Sequence, residues 1–278
     1  NYFYFKYFKK VIKMSDLTVL NTPRLTDEGI EKYWFDNNPS LTHFMSAVSV
    51  LFPEGERYFM KSMNHYRNQL SKETIKELNL FCKQEINHGR LHETLNKKLE
   101  SLTSSILLSK LENRTGKALN LASKFLSKKQ QLCVTVCLEH ITGIMGDQLL
   151  RRKDITDLMA GDIKDCYIYH GTEELDHCNV SFDIYEEVNG SHLTRRILMV
   201  PVTIGLIYIV VDNWFKIMYN DKGLSGFKGL HKSINILIGK QGFITGFIDE
   251  YLKWFKEDYH PMQLKNNFHN WQLQNKNN

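Results

Sequence analysis

Apolar positions recur at helical spacing along most of the chain. Between about residues 40 and 260, stretches with apolar residues three or four positions apart alternate with short polar breaks, and the whole chain contains only five prolines. This periodicity predicts a mostly helical protein. One helix or two are expected over residues 42–69, with Pro53 in a first turn. The next helix should begin at Thr74, or at the alternative cap Ser71, and continue to about Leu99.

The second half of the chain predicts further helices. A continuous helix is expected over about residues 119–150, and another over 163–188, which Asn189 and Gly190 should end. An apolar helix follows over 197–218, and a last helix lies near "GFITGFIDEYLKWFKEDY".

The polar breaks also indicate the domain boundaries. We expect an N-terminal extension and lead-in over residues 1–39, one helical domain over 40–262, and a frayed polar tail over 263–278. Residues 1–13 mix aromatic residues with lysines and lack the apolar core of a signal peptide, so they are expected either to precede the native start at Met14 or to lie at a membrane surface.

One apolar segment bears on localisation. Residues 197–211 form an uncharged run of 15 residues, which is shorter than the roughly 20 needed to span a bilayer. A buried helix is therefore expected, with an interfacial or re-entrant segment as the alternative. The five cysteines form no CxxC pair, which favours a reducing compartment. We expect a cytoplasmic protein, with membrane association left open.

Charge changes this picture little. The net charge of +5 and the charged fraction of 24% do not indicate a nucleic-acid-binding protein. The chain has no P-loop, no GxGxxG and no GxSxG motif. Nucleotide binding and serine-hydrolase chemistry therefore find no support in the sequence.

Candidate chemistry enters with histidine and glutamate. In "QEINHGRLH", Glu85 and His88 are three positions apart and share one helix face, on which His92 also falls. A solvated polar face would explain this stretch equally well. A second stretch, "HGTEELDH", repeats the pattern with Glu174 and His177. Two helices that each carry Glu-x-x-His are typical of dinuclear metal sites in four-helix bundles, in which the other two helices each add one glutamate.

Two further glutamates complete such a set. Glu139 lies in an apolar helical stretch, where a carboxylate is costly to bury without a partner. Glu56 is the other candidate, with Glu54 as the alternative. The successive intervals are 29 residues from Glu56 to Glu85, 54 from Glu85 to Glu139 and 35 from Glu139 to Glu174. Short, long and short intervals predict an all-α, ferritin-like four-helix bundle with one long crossover and additional C-terminal helices.

This donor set suggests the cofactor. Glutamates combined with imidazoles favour iron or manganese, with zinc as an alternative. We therefore expect two metal ions, most simply iron.

Five blocks of the chain resemble a known family. They are "LFPEGERYF", "FCKQEINHGRLHETLN", "LEHITGIM", "HGTEELDHCNVSFDIY" and "YHP". In this order they resemble the predicted metal-dependent hydrolase family of bacterial ferritin-like proteins. A related branch, the di-iron arylamine N-oxygenases, has a similar His-x3-Glu-x2-His spacing, and this similarity implies that His170 is an additional ligand. The metal ligands expected in all are Glu56, Glu85, His88, Glu139, His170, Glu174 and His177.

Three further residues are expected beside these ligands. His92 is a candidate contact of the ligands or an extra ligand. His140 should be a packed histidine, and Glu173 should face solvent, although either could contact a ligand. The preferred function is a di-iron oxidase or oxygenase that acts on an apolar or aromatic small molecule and takes electrons from an external donor. A hydrolase and a non-catalytic metal- or lipid-binding protein are the alternatives, and a homodimer and peripheral membrane contact are left open.

Overall fold

The fold was described from a computed structural model, which covers residues 20–26, 31–103, 107–222 and 225–275. Residues 1–13, including the expected extension, lie outside these ranges. Within them the chain is helical and contains no strand beyond one isolated bridge between Phe35 and Met159. The helices are α1 (Pro39–Ser49), α2 (Phe52–Asn64), α3 (Lys72–Thr103), α4 (Leu107–Phe125), α5 (Lys128–Arg151), α6 (Lys153–Thr156), α7 (Gly161–Glu187), α8 (His192–Asn220), α9 (Leu230–Ile238), α10 (Ile248–Lys253) and α11 (Met262–Asn275).

Local sequence signals explain several helix ends. Pro53 lies in the first turn of α2, as expected. Helix α3 begins after Ser71, whose hydroxyl accepts the amide of Thr74 at 3.2 Å, so the alternative cap is the one used. Asn189, with φ of 58°, follows α7 at the predicted stop. The continuous helix expected over 119–150 is wrong, because a capping box at Ser127 ends α4 and starts α5.

Four helices pack side by side in a closed ring. Helix α2 contacts α3 and α5, and α7 contacts the same two helices from the opposite side. Helix α4 fills the long connection between α3 and α5 and packs on α2. The protein is therefore a helical bundle, whose ring of α2, α3, α5 and α7 surrounds one shared interior.

Helices α5 and α7 approach each other closely in this ring. Gly146 and Gly171 face each other there, and a Cβ on Gly146 would lie 2.5 Å from the carbonyl oxygen of Gly171. Because that oxygen belongs to the backbone, it cannot move aside cheaply. Two glycines thus set the spacing of the helices that carry four of the seven candidate ligands.

Helix α8 corrects the expectation of a buried apolar helix. Among the described residues it is the one helix long and apolar enough to cross a membrane by length and composition, yet only 22% of its most apolar 18 residues are buried. One stripe, with Met199, Trp214 and Met218, packs on the bundle, and the opposite apolar stripe is exposed. The sequence could not separate the two stripes, because both are apolar.

The C-terminal region also differs from its prediction. Residues 262–275 form α11, and Leu264 and Phe268 are buried against Ile144 and Leu175 of the bundle. The prediction of a frayed tail is therefore wrong, because two apolar residues four positions apart anchor an otherwise polar helix. The last helix expected near 242–259 is only the short α10 with a preceding 3₁₀ turn.

The glycine contact between α5 and α7 predicts a stability effect. Gly146→Ala should lower the free energy of unfolding by about 1–3 kcal/mol, because the new methyl group overpacks the interface. Gly205→Ala is the matched control, since no atom lies within 4 Å of the added Cβ and alanine should stabilise the helix by about 1 kcal/mol. Urea unfolding measures both, and an unchanged stability of Gly146→Ala would contradict this role of the contact.

Candidate metal centre

The ring of helices brings all seven predicted ligand residues to its interior. Each helix contributes at least one, and all seven side chains are between 0 and 3% exposed. They are Glu56 on α2, Glu85 and His88 on α3, Glu139 on α5, and His170, Glu174 and His177 on α7. Glu54, the alternative to Glu56, instead forms a partly exposed ion pair with Arg57.

Glu174 lies at the centre of the histidines. Its Oε1 is 2.9 Å from His170 Nε2, 3.2 Å from His177 Nδ1 and 3.7 Å from His88 Nδ1. The Oε1 of Glu85 is also 3.2 Å from His177 Nδ1. The sequence favoured Glu174 over Glu173 because of its helical phase, and this geometry agrees with that choice.

The donor atoms form two overlapping groups. Glu85, His88, Glu174 and His177 offer atoms within 4.8 Å of one another, and so do Glu56, His88 and His170. This buried cluster of carboxylates and imidazoles can therefore hold metal ions. Glu139 belongs to neither group, although its charge acts on Glu85 and Glu174.

The carboxylates lack the partners that a metal-free interior would need. Both carboxylate oxygens of Glu56, Glu85 and Glu139 are buried and accept no hydrogen bond. Burial, followed by the nearby charges of Glu174 and Glu85, raises the pKa of Glu139 well above 4.5, and burial likewise raises the pKa of Glu56. Buried oxygens without donors are costly unless a cation binds them, so these residues fit a metal.

The pKa shifts of His177 and Glu174 favour the charged form of each group, unlike those of Glu139 and Glu56. Burial alone would lower the pKa of His177, but the carboxylates of Glu85 and Glu174 outweigh it and raise this pKa well above 6.5. Burial alone would raise the pKa of Glu174, but hydrogen bonds from His170 and His177 outweigh it and hold this pKa well below 4.5. In the metal-free protein the proton on His177 thus balances part of the negative charge of the carboxylates, and metal binding should release this proton.

Two of the histidines are oriented by acceptors on their outer nitrogens. His88 Nε2 donates to Glu173 Oε2 at 2.8 Å, which leaves His88 Nδ1 directed at Glu85 and Glu174. His177 Nε2 donates to Gln84 Oε1 at 3.2 Å and directs its Nδ1 to the same carboxylates. Acceptors of this kind fix the tautomer of a metal-binding histidine.

Glu173 corrects the sequence prediction, which placed it in solvent. It is 2% exposed, and besides His88 it accepts the amide of Leu20 at 3.0 Å. Helical phase favoured Glu174 over Glu173 because Glu174 shares a face with both His170 and His177. However, α3 passes on the side of Glu173 and supplies His88, which the phase of α7 alone could not show.

The third histidine is oriented by a chain of hydrogen bonds. Asn96 Nδ2 donates to Glu112, so its Oδ1 is free to accept the hydroxyl of Ser49 at 2.7 Å. Ser49 Oγ then accepts from His92 Nδ1 at 2.9 Å. Since His92 carries its proton on Nδ1, its Nε2 accepts from His170 Nδ1 at 2.7 Å. His170 Nε2 is therefore the nitrogen that faces the cluster, 2.9 Å from Glu174 Oε1.

This chain assigns a role to His92. His92 is fully buried, and burial, together with His170 and His88, holds its pKa well below 6.5, so it is neutral and can accept. It contacts a candidate ligand and lies in neither group of donor atoms. Of the two readings that the sequence left open for His92, the geometry favours the contact over the extra ligand.

His140 is a packed histidine, as expected. Its ring stacks on Trp254 at 4.6 Å, and Tyr259 Oη is 3.1 Å from its Nδ1. Burial, followed by the charge of Arg195, lowers the pKa of His140 to about 3, so it is neutral. It points away from the cluster while its neighbour Glu139 points inward.

Apolar rings and an N-terminal strap cover the cluster. The ring centroid of Phe52 is 4.3 Å from that of His170, and Phe81 is 4.7 Å from His177. Residues 20–26 cross α3 and α7, where Thr26 binds Asp162 and Lys98 Nζ donates to the carbonyl of Leu25 at 2.6 Å. A small cavity between α1, α4 and α8, lined by His43, Leu108 and Asp221 among others, does not reach the cluster.

Sequence reasoning missed several residues of the site. Gln84, Ser49 and Asn96 carry no motif, and only their hydrogen bonds reveal them. Gly89 had a signal in its helix-interior position, where glycine is unfavourable. A Cβ there would lie 3.0 Å from Glu56 Oε2, so this glycine leaves room for the carboxylate.

The model of one family, described as predicted metal-dependent hydrolase, matches residues 22–265. A search of curated proteins and a search of solved structures each returned no match.

Burial of Glu139 predicts a pH-dependent stability of the metal-free protein. Because the pKa of Glu139 is raised above 4.5 in the fold, stability should be full below that pH and fall as the pH rises through the folded pKa. Glu139→Gln should remove this loss and stabilise the metal-free protein at pH 7 by about 1–3 kcal/mol. Glu54→Gln, on the partly exposed ion pair, is the control.

Urea unfolding in chelator at pH 4 and pH 7 measures this difference. Glu139→Gln should differ from the wild type mainly at pH 7, because both carry a neutral side chain at pH 4. Equal stabilities at pH 7 would show that the Glu139 carboxylate is solvated or paired in solution.

Proposed function

The chain belongs to the predicted metal-dependent hydrolase family, and we propose that its Glu/His cluster binds two metal ions in a ferritin-like bundle. The observation that carries this proposal is the set of four buried carboxylates with three oriented imidazoles. Four carboxylates bear a formal charge of −4, which two divalent cations neutralise. The two overlapping donor groups, which share His88, fit the same number of ions.

The proposed ligands are the seven residues predicted from the sequence. His88 belongs to both donor groups, Glu174 belongs to the first, and Glu139 would complete the set from α5. Iron is the preferred metal, with manganese or zinc as alternatives, since carboxylates and imidazoles suit all three. The proposed domain is the helical unit over residues 40–262.

We favour an oxidative reaction on an apolar or aromatic small molecule. Bound iron would supply redox chemistry with oxygen, for which an external electron donor is needed. The buried phenylalanine rings beside the histidines favour this reading, because an apolar, water-excluding cover suits a reactive site.

The side chains of the protein have definite tasks in this proposal. Glu173, Gln84 and His92 hold the protons of the three ligand histidines on their outer nitrogens. Phe52 and Phe81 shield the imidazoles of His170 and His177 from water. The strap over residues 20–26 covers Glu173, so a substrate on that side must displace it or pass beside it.

Hydrolysis is the second candidate, and the description of the family favours it. Two bound metal ions would lower the pKa of a water molecule and so supply a nucleophile for attack on an ester or amide. The same orienting residues would serve either reaction. A cytoplasmic location, a small-molecule substrate, the absence of nucleic acid and a homodimer remain predictions.

Metal analysis and oxygen uptake test the proposal together. Protein purified with iron present should contain about two irons per chain, and Glu139→Ala should lose at least one, while Glu54→Ala keeps both. The chemically reduced protein should consume oxygen and should not cleave test esters in anaerobic buffer. Ester cleavage without oxygen uptake would favour hydrolysis, and metal binding with neither reaction would favour a non-catalytic protein. A chain without metal would contradict the proposal.

The His92 chain predicts a loss of metal affinity. His92→Leu removes the acceptor of the His170 proton, so metal affinity should fall by about 10–100-fold. His92→Gln should retain most of it, because an amide oxygen can accept the same proton. His65→Leu, at an exposed histidine, is the control.

Metal titration followed by competition with a chelator measures these affinities, and urea unfolding of the metal-free variants separates affinity from folding. If His92→Leu folds and binds metal as tightly as the wild type, His92 does not orient His170.

A further inference from the structure

We propose that the exposed face of α8 binds the surface of an anionic lipid bilayer. The proposal is independent of the reaction at the metal centre. It rests on an apolar stripe that runs along α8, on the residues beside it, and on the lysines at one of its ends.

The stripe is long and uncharged. Exposed apolar side chains follow one another three or four positions apart, so they share one helix face. From Leu193 to Phe215 this face is about 33 Å long at the helical rise. Its members are Leu193, Ile197, Val200, Ile204, Ile207, Tyr208, Val211 and Phe215, each between 39 and 67% exposed. A continuous apolar surface of this size marks an interaction site.

The opposite stripe shows how α8 is held. Arg195, Met199, Trp214 and Met218 are buried in the bundle along the whole helix. Arg195 Nη1 donates to the carbonyl of Trp254 at 2.6 Å, and Trp214 Nε1 donates to that of Ser40 at 2.7 Å. Because these contacts anchor both ends, α8 lies along the body. A lipid surface can therefore meet its outer face without the helix crossing the bilayer.

Helix α4 widens the stripe on one side. Arg114 of α4 forms an ion pair with Asp212 of α8. Leu121 and Phe125 follow at intervals of seven and four residues and so share the face of Arg114 that is turned toward α8. They are 56 and 81% exposed.

Helix α10 widens the stripe on the other side. Tyr251 Oη is 2.9 Å from Thr203 Oγ1 of α8, and its neighbours Ile248 and Leu252 are more than half exposed. Exposed apolar residues thus lie on three adjacent helices. If a second copy of the chain packed on α8 as in a coiled coil, it would cover only a narrow strip of that helix. The exposed apolar surface is broader than such a strip and therefore fits a bilayer better.

Lysines supply the charge complementarity. Lys117 and Lys124 are exposed on α4, four residues before and three after Leu121, and so lie on its side of the helix. Lys128 is exposed at the start of α5. Lys129 Nζ donates to the carbonyls of Val188 and Asn189, which places this junction beside the start of α8. Lysines next to exposed phenylalanine and leucine are typical of an interfacial surface that prefers anionic lipid.

Vesicle co-sedimentation of the full chain tests the proposal. The probes are vesicles of phosphatidylcholine alone and of phosphatidylcholine with phosphatidylglycerol, at low and high salt. We expect binding to the anionic vesicles, weakened at high salt. The double variant Ile204→Glu with Ile207→Glu should reduce it at least tenfold. Leu102→Glu with Leu273→Glu is the control, since these residues are similarly exposed on other helices.

Circular dichroism and metal content show whether each variant folds. Vesicle binding that survives in the α8 variant would overturn the proposal and assign binding to another segment. Absence of vesicle binding would overturn it as well. Analytical ultracentrifugation would then show whether a dimer that the α8 variant abolishes covers the stripe instead.

Discussion

The fold of this protein depends on keeping carboxylates in a buried helical interior. Four glutamates lie there with at most 3% of their surface exposed, and seven of their eight carboxylate oxygens accept no hydrogen bond. Such an interior is stable only when cations or protons balance the charge. The four helices can approach closely because Gly146 meets Gly171 and Gly89 leaves room for Glu56. The helices thus fit around their own site, at a cost in the metal-free state.

The histidines extend this constraint outward. Each of the three has one nitrogen toward the carboxylates and the other bound to a different acceptor, namely a carboxylate, an amide oxygen and an imidazole. These acceptors differ in charge, so the three histidines are not equivalent donors. His88, held by the Glu173 carboxylate, should be more basic than His170, which is held by neutral His92. This inequality follows from the surroundings of the site alone.

The sequence predicted the centre of the site better than its edge. Glu-x-x-His spacing on α3 and α7 needs only helical geometry, and burial of Glu139 followed from its apolar neighbours. By contrast, Glu173 contacts His88 of another helix, and no periodicity within α7 reports that contact. The same limit applies to α8, where an apolar residue can face the core or the surface. The prediction for residues 263–278 was wrong for a related reason. Leu264 and Phe268 anchor α11, and two apolar residues in a polar stretch do not show that they pack on the bundle.

The outer face of α8 and the metal centre meet in one set of contacts. Arg195 lies on the buried side of α8, has no carboxylate among its described partners, and is held by the carbonyl of Trp254 and by stacking on its ring. Trp254 stacks on His140, which neighbours Glu139 along α5. Three packed side chains therefore join the proposed lipid face to a proposed ligand. Arg195 is a buried cation held by carbonyl oxygens and aromatic rings. A shift of α8 would remove the hydrogen-bond acceptors of its guanidinium and leave a buried charge unpaired, so the bundle resists such a shift. A lipid surface would thus meet a rigid face, and its effect on the site would be to bring an apolar substrate near rather than to reshape the cluster.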